Sequence, residues 1–140
     1  MTAWALLLEY DGAGFVGWQV QESGISLQGV LEGAASRLTG GRRVASVVAG
    51  RTDAGVHAAG QVAMIELPDR YSADRVRDAL NFYLKPHPFV VLRAAPAPAG
   101  WNPRFSAVAR SYTYAILNRR ARPGLERRVW HVPQPLDAAA

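Results

Sequence analysis

The order of periodic segments predicts an α+β domain of ferredoxin-like, β-α-β-β-α-β arrangement. Three observations carry this expectation. Four short runs, 3–9, 44–48, 61–67 and 89–94, have the length, composition or alternation of strands. Two intervening segments, opening at Ser26 and at Ser72 or Asp74, repeat apolar residues at helical spacing. The two middle strands are joined by a loop with no helical pattern. This order gives an antiparallel sheet with two helices on one face, extended by a further strand at 110–116. The open face of such a sheet is a common RNA platform when aromatics and arginines line it.

The run 3–9 (Ala-Trp-Ala-Leu-Leu-Leu-Glu) is nearly all apolar and reads as a buried central strand. Gly12, Gly14 and Gly17 then spell a literal G-x-G-x-x-G. A dinucleotide fingerprint needs a helix opening at that turn and an acidic residue at the end of the next strand. Here the helix signal waits until Ser26, and Glu32 falls inside it, which argues against a nucleotide site. The plainer reading is a glycine-rich hairpin with Phe15 and Trp18 packed into the core.

Ser26 is an N-cap candidate, with Leu27, Val30, Leu31, Ala34, Ala35 and Leu38 on one face and Gly40-Gly41 as the stop. The second helix presents Val76, Ala79, Leu80 and Tyr83, and must end before Pro86. Pro96 to Gly100 is a connector. Arg110, Tyr112 and Tyr114 fall on one face of the expected fifth strand, where the two tyrosines could equally be an ordinary aromatic pair. Pro135-Leu136-Asp137 followed by three alanines reads as a helix start.

At 140 residues, 49% hydrophobic and 19% charged, the chain is long enough to bury a core. It contains no cysteine, so disulfides and thiolate metal sites are excluded, and His57, His87 and His131 show no ligand spacing. No apolar run approaches the length of a membrane span, so no membrane partner is expected and the cytoplasm is the default. Residues 1–100 carry nine basic and nine acidic side chains. Residues 101–140 carry seven arginines against Glu126 and Asp137, so the whole net charge of +5 lies there. The cluster Arg119, Arg120, Arg122, Arg127 and Arg128 suits phosphate contacts, although a solvated surface would look the same.

One loop stands apart. Asp53 lies between Gly50 and Gly55, in a segment held at both ends by strands. Arg51, two residues earlier, would share a face with Asp53 in an extended segment and keep its carboxylate ionised. An ionised carboxylate suits a nucleophile or base. A turn in which Asp53 caps an amide or pairs structurally with Arg51 is the competing reading.

Gly50-Arg51-Thr52-Asp53-Ala54-Gly55-Val56-His57-Ala58 resembles the active-site motif of the tRNA pseudouridine synthase A family. Tyr10-Asp11-Gly12, with Phe15 and Gly17-Trp18-Gln19, resembles that family's opening motif, near its RNA-binding cleft. Asn81 to Pro86 is similar to its Asn-x-x-Leu-Pro region, with Lys85 either inserted before the proline or replacing it. Arg104-Phe105-Ser106-Ala107 matches the end of its Phe-His-Ala-Arg-Phe-Ser-Ala, the first three residues being substituted by Trp101, Asn102 and Pro103. The resemblance implies one half of a two-unit pseudouridine synthase fold and a uridine-to-pseudouridine isomerase acting on uridines 38–40 of the tRNA anticodon stem-loop. A non-catalytic RNA-binding module on the same scaffold is the alternative.

The resemblance further implies Asp53 as catalytic nucleophile and Tyr112 as the residue stacking on the target uracil. Arg51, Arg104 and Arg110 are implied for base flipping and RNA contact. It implies no cofactor and no metal, a tRNA partner and a homodimer. Members run to about twice this length, so residues 1–95 are expected to form the ferredoxin-like catalytic half. Residues 96–134 would then be a connector, the tyrosine-bearing strand and the arginine-rich segment, with 135–140 beginning a second α/β half. In the family a basic residue of that second half pairs with the catalytic aspartate, so this stretch alone is expected to be nearly inactive.

Overall fold

The computed structural model describes residues 1–139. The chain divides into two compact units, 1–108 and 109–140. In the first, β1 (Thr2–Tyr10), α1 (Leu27–Ser36), β2 (Ser46–Val48), β3 (Ala58–Leu67), α2 (Ala73–Leu84) and β4 (Phe89–Pro96) follow in the expected order. A one-turn helix, α3 (Pro103–Ser106), closes the unit. The sheet runs β2-β3-β1-β4 with every neighbour antiparallel, the ferredoxin-like strand order.

Alternation along β1 buries Trp4, Leu6, Leu8 and Tyr10, and β3 adds Ala63, Ile65 and Leu67 to the same core. The helices contribute Leu27, Leu31, Ala34 and Ala35 from α1 and Val76, Leu80 and Leu84 from α2. All strand aromatics of this sheet (Trp4, Tyr10 and Phe89) lie in that core. The opposite face carries Ala5 and Leu7 across from Met64 and Val62, with Glu9, Glu66 and Arg93 on the same side. It lacks the aromatic lining that would make the strands themselves an RNA platform.

One helix end differs from expectation, and another is decided between its two candidates. Helix α1 stops at Ser36, and residues through Leu38 and Thr39 continue as tighter turns, bonding back three residues to Ala35 and Ser36. The Thr39 hydroxyl donates to the Ser36 carbonyl and competes with a further helical turn. Leu38 remains buried and Gly40 turns at φ 71°. For α2, Ser72 rather than Asp74 is the cap, its hydroxyl accepting from the Arg75 amide. Asn81 of α2 holds β4 by both edges of its amide, donating to the Val91 carbonyl (3.0 Å) and accepting from the Val91 amide (2.7 Å). Asp69 ties the first residue to the end of β3. The Thr2 hydroxyl first, and then the N-terminal ammonium, hold its carboxyl below the usual carboxylate range. A lowered carboxylate stabilises above its unfolded pKa and loses that contribution as pH falls; fully exposed, its effect is small.

The second unit has one short parallel ladder, β5 (Ile116–Asn118) with β6 (Trp130–Val132). The expected strand over 110–116 is therefore corrected: only Ile116 of it is paired, and the ladder continues instead to Asn118. A strand is held by its neighbour, and alternation alone supplies none. Asn118 fastens the segment by donating to the carbonyls of Val132 and Gln134 and accepting from the Leu136 amide. The expected helix start is a turn at Ala138 and Ala139, with Asp137 accepting from the Ala139 amide; Ala140 lies outside the described residues.

Candidate active site

Because β1 and β3 are antiparallel, the loop leaving β1 and the loop entering β3 emerge at the same end of the sheet. They meet backbone to backbone. A Cβ on Gly12 would collide with the Val56 carbonyl. At Gly17 (φ 112°), a Cβ would come within 3.0 Å of the Thr52 carbonyl. The Trp18 amide donates to that same Thr52 oxygen at 2.9 Å. On its other side the glycine loop caps α1: the Leu27 and Gln28 amides, unpaired in the helix, donate to the carbonyls of Gly17 and Trp18. The G-x-G-x-x-G string is thus a buttress between α1 and the Asp53 loop. As the plainer reading required, Phe15 and Trp18 are core residues.

Asp53 opens a turn closed by the Val56 amide donating to the Asp53 carbonyl at 3.1 Å, with Gly55 at φ 79° in the third position. Its side chain is exposed. Among the described residues the Asp53 carboxylate accepts no hydrogen bond and joins no ion pair within 4 Å, so it is neither an amide cap nor a partner of Arg51. The expected Arg51–Asp53 contact is therefore not formed. Arg51 instead lines a cleft of about 390 Å³ together with Arg104, bounded by Trp18, Gln19, Gln28 and residues 46–50. Asp53 lies two residues along the loop from that wall.

Arg104 is placed by α3. Asn102 is its N-cap, the side-chain oxygen accepting from the Arg104 and Phe105 amides, and Pro103 occupies the first helical position. The substituted Trp-Asn-Pro therefore encodes a helix start. The Arg104 guanidinium lies 5.5 Å from the Phe105 ring centroid.

His57, which shows no metal-ligand spacing, ties the two loops together. The Gly12 amide donates to His57 Nδ1 at 2.9 Å, and Asp11 Oδ1 stands 3.1 Å from the same nitrogen. The amide hydrogen is fixed by the backbone, so its bond requires a lone pair on Nδ1. No group of three or more His, Cys, Asp or Glu residues suited to a metal ion occurs among the described residues.

Arg110, Tyr112 and Tyr114 belong to the second unit. Tyr112 is 62% and Tyr114 80% exposed, and no ring contact pairs them among the described residues. In the arginine cluster, Arg119 donates to the carbonyls of Ala121 and Arg122, and Arg128 pairs with Glu126. The Arg128 amide is the chief cause of the lowered Glu126 pKa. Arg120, Arg122 and Arg127 are exposed without a side-chain partner among the described residues.

Fold and site together define a class: a ferredoxin-like α+β domain with one unengaged carboxylate on a clamped loop, beside an arginine-lined cleft. No family model matches the chain. It is 68% identical to the tRNA pseudouridine synthase A of Acidiphilium cryptum, over all of this chain and 56% of that protein. It is 55% identical to that of Gluconobacter oxydans, over 98% of this chain and 51% of the relative. The tRNA pseudouridine synthase A of Rhodospirillum centenum is 53% identical, over all of this chain and 57% of its own length. Over essentially its whole length the chain is similar to tRNA pseudouridine synthase A, and it spans about half the length of these curated relatives. No helix among the described residues is long and apolar enough to cross a membrane.

Proposed function

We propose that the protein carrying this chain converts uridine to pseudouridine in tRNA, at positions 38–40 of the anticodon stem-loop, with Asp53 as the reacting carboxylate. The observation that carries this reading is the Asp53 side chain, exposed and without a partner on a loop otherwise fastened on both flanks. A structural aspartate would spend its oxygens on amides or a guanidinium.

The reaction breaks the N1–C1′ bond, turns the uracil and forms C5–C1′. The C5 proton leaves and N1 takes one up, so no redox partner enters the balance. A carboxylate serves this chemistry by attack at C1′, by attack at C6, or by taking the 2′ proton. The target base must first leave its stack, costing a few kcal/mol. Stacking on Tyr112 offsets roughly 1–3 kcal/mol of that. Arg51, Arg104 and Arg110 hold the phosphates around the extruded nucleotide.

In this reading residues 1–95 are the catalytic half, 96–134 carry the tyrosine and the arginine segment, and 135–140 lead into a second α/β half. The working protein is a cytoplasmic homodimer, and the 140-residue stretch alone is nearly inactive because the basic partner of Asp53 belongs to that second half. The test is C5-tritium release from labelled tRNA by the full-length protein. Asp53→Ala is expected to lower release by at least about 10⁴-fold while tRNA binding persists. Release at the parent rate would leave the protein an RNA-binding module whose chemistry, if any, lies elsewhere.

A further inference from the structure

We propose that Tyr10 and Gln61 are positioning residues for Asp53, acting through Thr52 and Gly50; this rests on Asp53 being the reacting carboxylate. Both side chains are polar groups in phase with apolar stripes. Tyr10 continues Trp4, Leu6 and Leu8 on β1, and Gln61 precedes Ala63, Ile65 and Leu67 on β3. Tyr10 is 3% and Gln61 9% exposed. Burying such groups is costly unless they are bonded, and here their bonds converge on the loop.

The Tyr10 hydroxyl lies 2.8 Å from Thr52 Oγ1. Gln61 Nε2 donates to Tyr10 Oη at 3.2 Å and to the Gly50 carbonyl at 2.7 Å. The Tyr10 ring is itself fixed, stacked on Phe89 at 5.5 Å between centroids and 6.2 Å from Trp18. Thr52 is therefore gripped twice, by its hydroxyl from Tyr10 and by its carbonyl from the Trp18 amide. Gly50 is gripped once, leaving Asp53 as the first residue beyond the clamp. A displacement of about 1 Å at a reacting group can lower the rate by about 100-fold. Core packing around Tyr10 thus becomes precision at Asp53.

The variants separate positioning from folding. Tyr10→Phe keeps the ring stack and removes only Oη. Thr52→Val removes the hydroxyl at constant shape, and Thr52→Ser restores it. In the full-length protein, Tyr10→Phe and Thr52→Val are each expected to lower kcat by about 10- to 100-fold, with KM for tRNA within about twofold. Thr52→Ser should recover kcat to within about threefold of the parent. The double variant should be no slower than the slower single, because both remove one link. Asp53→Ala runs in the same assay. If it retains release, the reading of Asp53 fails. If it abolishes release while Tyr10→Phe and Thr52→Val keep parental kcat, or lower it only in proportion to the unfolded fraction, the positioning inference alone is overturned.

Discussion

The first unit, 1–108, contains the whole buried core, from Trp4 on β1 to Val91 on β4. Among the described residues of the second, 109–140, none belongs to it, and Leu125 and Tyr114 stand open to solvent. Charge divides along nearly the same line: residues 1–100 are balanced, and the last forty carry the excess of arginine. A group that must be held to a fraction of an ångström needs a core behind it, and Asp53 has one. Groups that meet a polyanion need charge and freedom to adapt, which exposed arginines and tyrosines supply without a core.

Substitutions in the two units should therefore fail differently. The largest effect on stability is expected at Leu80, fully buried on α2. Leu80→Ala should cost about 2–5 kcal/mol in denaturant unfolding, whereas Leu125→Ala in the second unit should change stability by less than about 0.5 kcal/mol. Equal losses would erase the contrast. Gly12→Ala comes next, because its methyl group meets the Val56 carbonyl and the loop must shift. A loss of about 1–3 kcal/mol together with slower tritium release is expected, and wild-type behaviour in both would mean the two loops are not clamped.

Smaller effects belong to the second unit. Tyr112→Leu should weaken transition-state binding by roughly 1–3 kcal/mol, read in kcat/KM, with thermal unfolding unmoved. Replacing Arg120, Arg122 and Arg127 by alanine should reduce the salt dependence of tRNA binding by a log–log slope of about 0.7–0.9 per lost phosphate contact, leaving release at saturating tRNA unchanged. A drop in saturated rate would move those arginines from the backbone-binding role to the chemistry.

Legibility in the sequence follows the same divide. The strand order and both long helices were readable because β1 is a nearly continuous apolar run, β3 alternates with period 2, and α1 and α2 repeat apolar residues at helical spacing. The Asp53 loop was readable from its glycines and its string of residues. The clamp was not, although it left a mark: Tyr10 and Gln61 occupy core positions with polar atoms, a conflict that points to a local task. The absence of an Arg51–Asp53 contact could not be seen, since spacing along a loop does not fix where a flexible guanidinium goes. The misread strand at 110–116 has the alternation of a sheet element, but pairing depends on partners that no single segment encodes.

The most direct measurement is single-turnover C5-tritium release by full-length Asp53→Asn, with tRNA affinity measured in parallel. The substitution keeps the shape of the side chain and removes its charge. With the carboxylate as the reacting group, release falls to background while affinity stays within about threefold of the parent. Release at the parental rate with tRNA bound as tightly would contradict it.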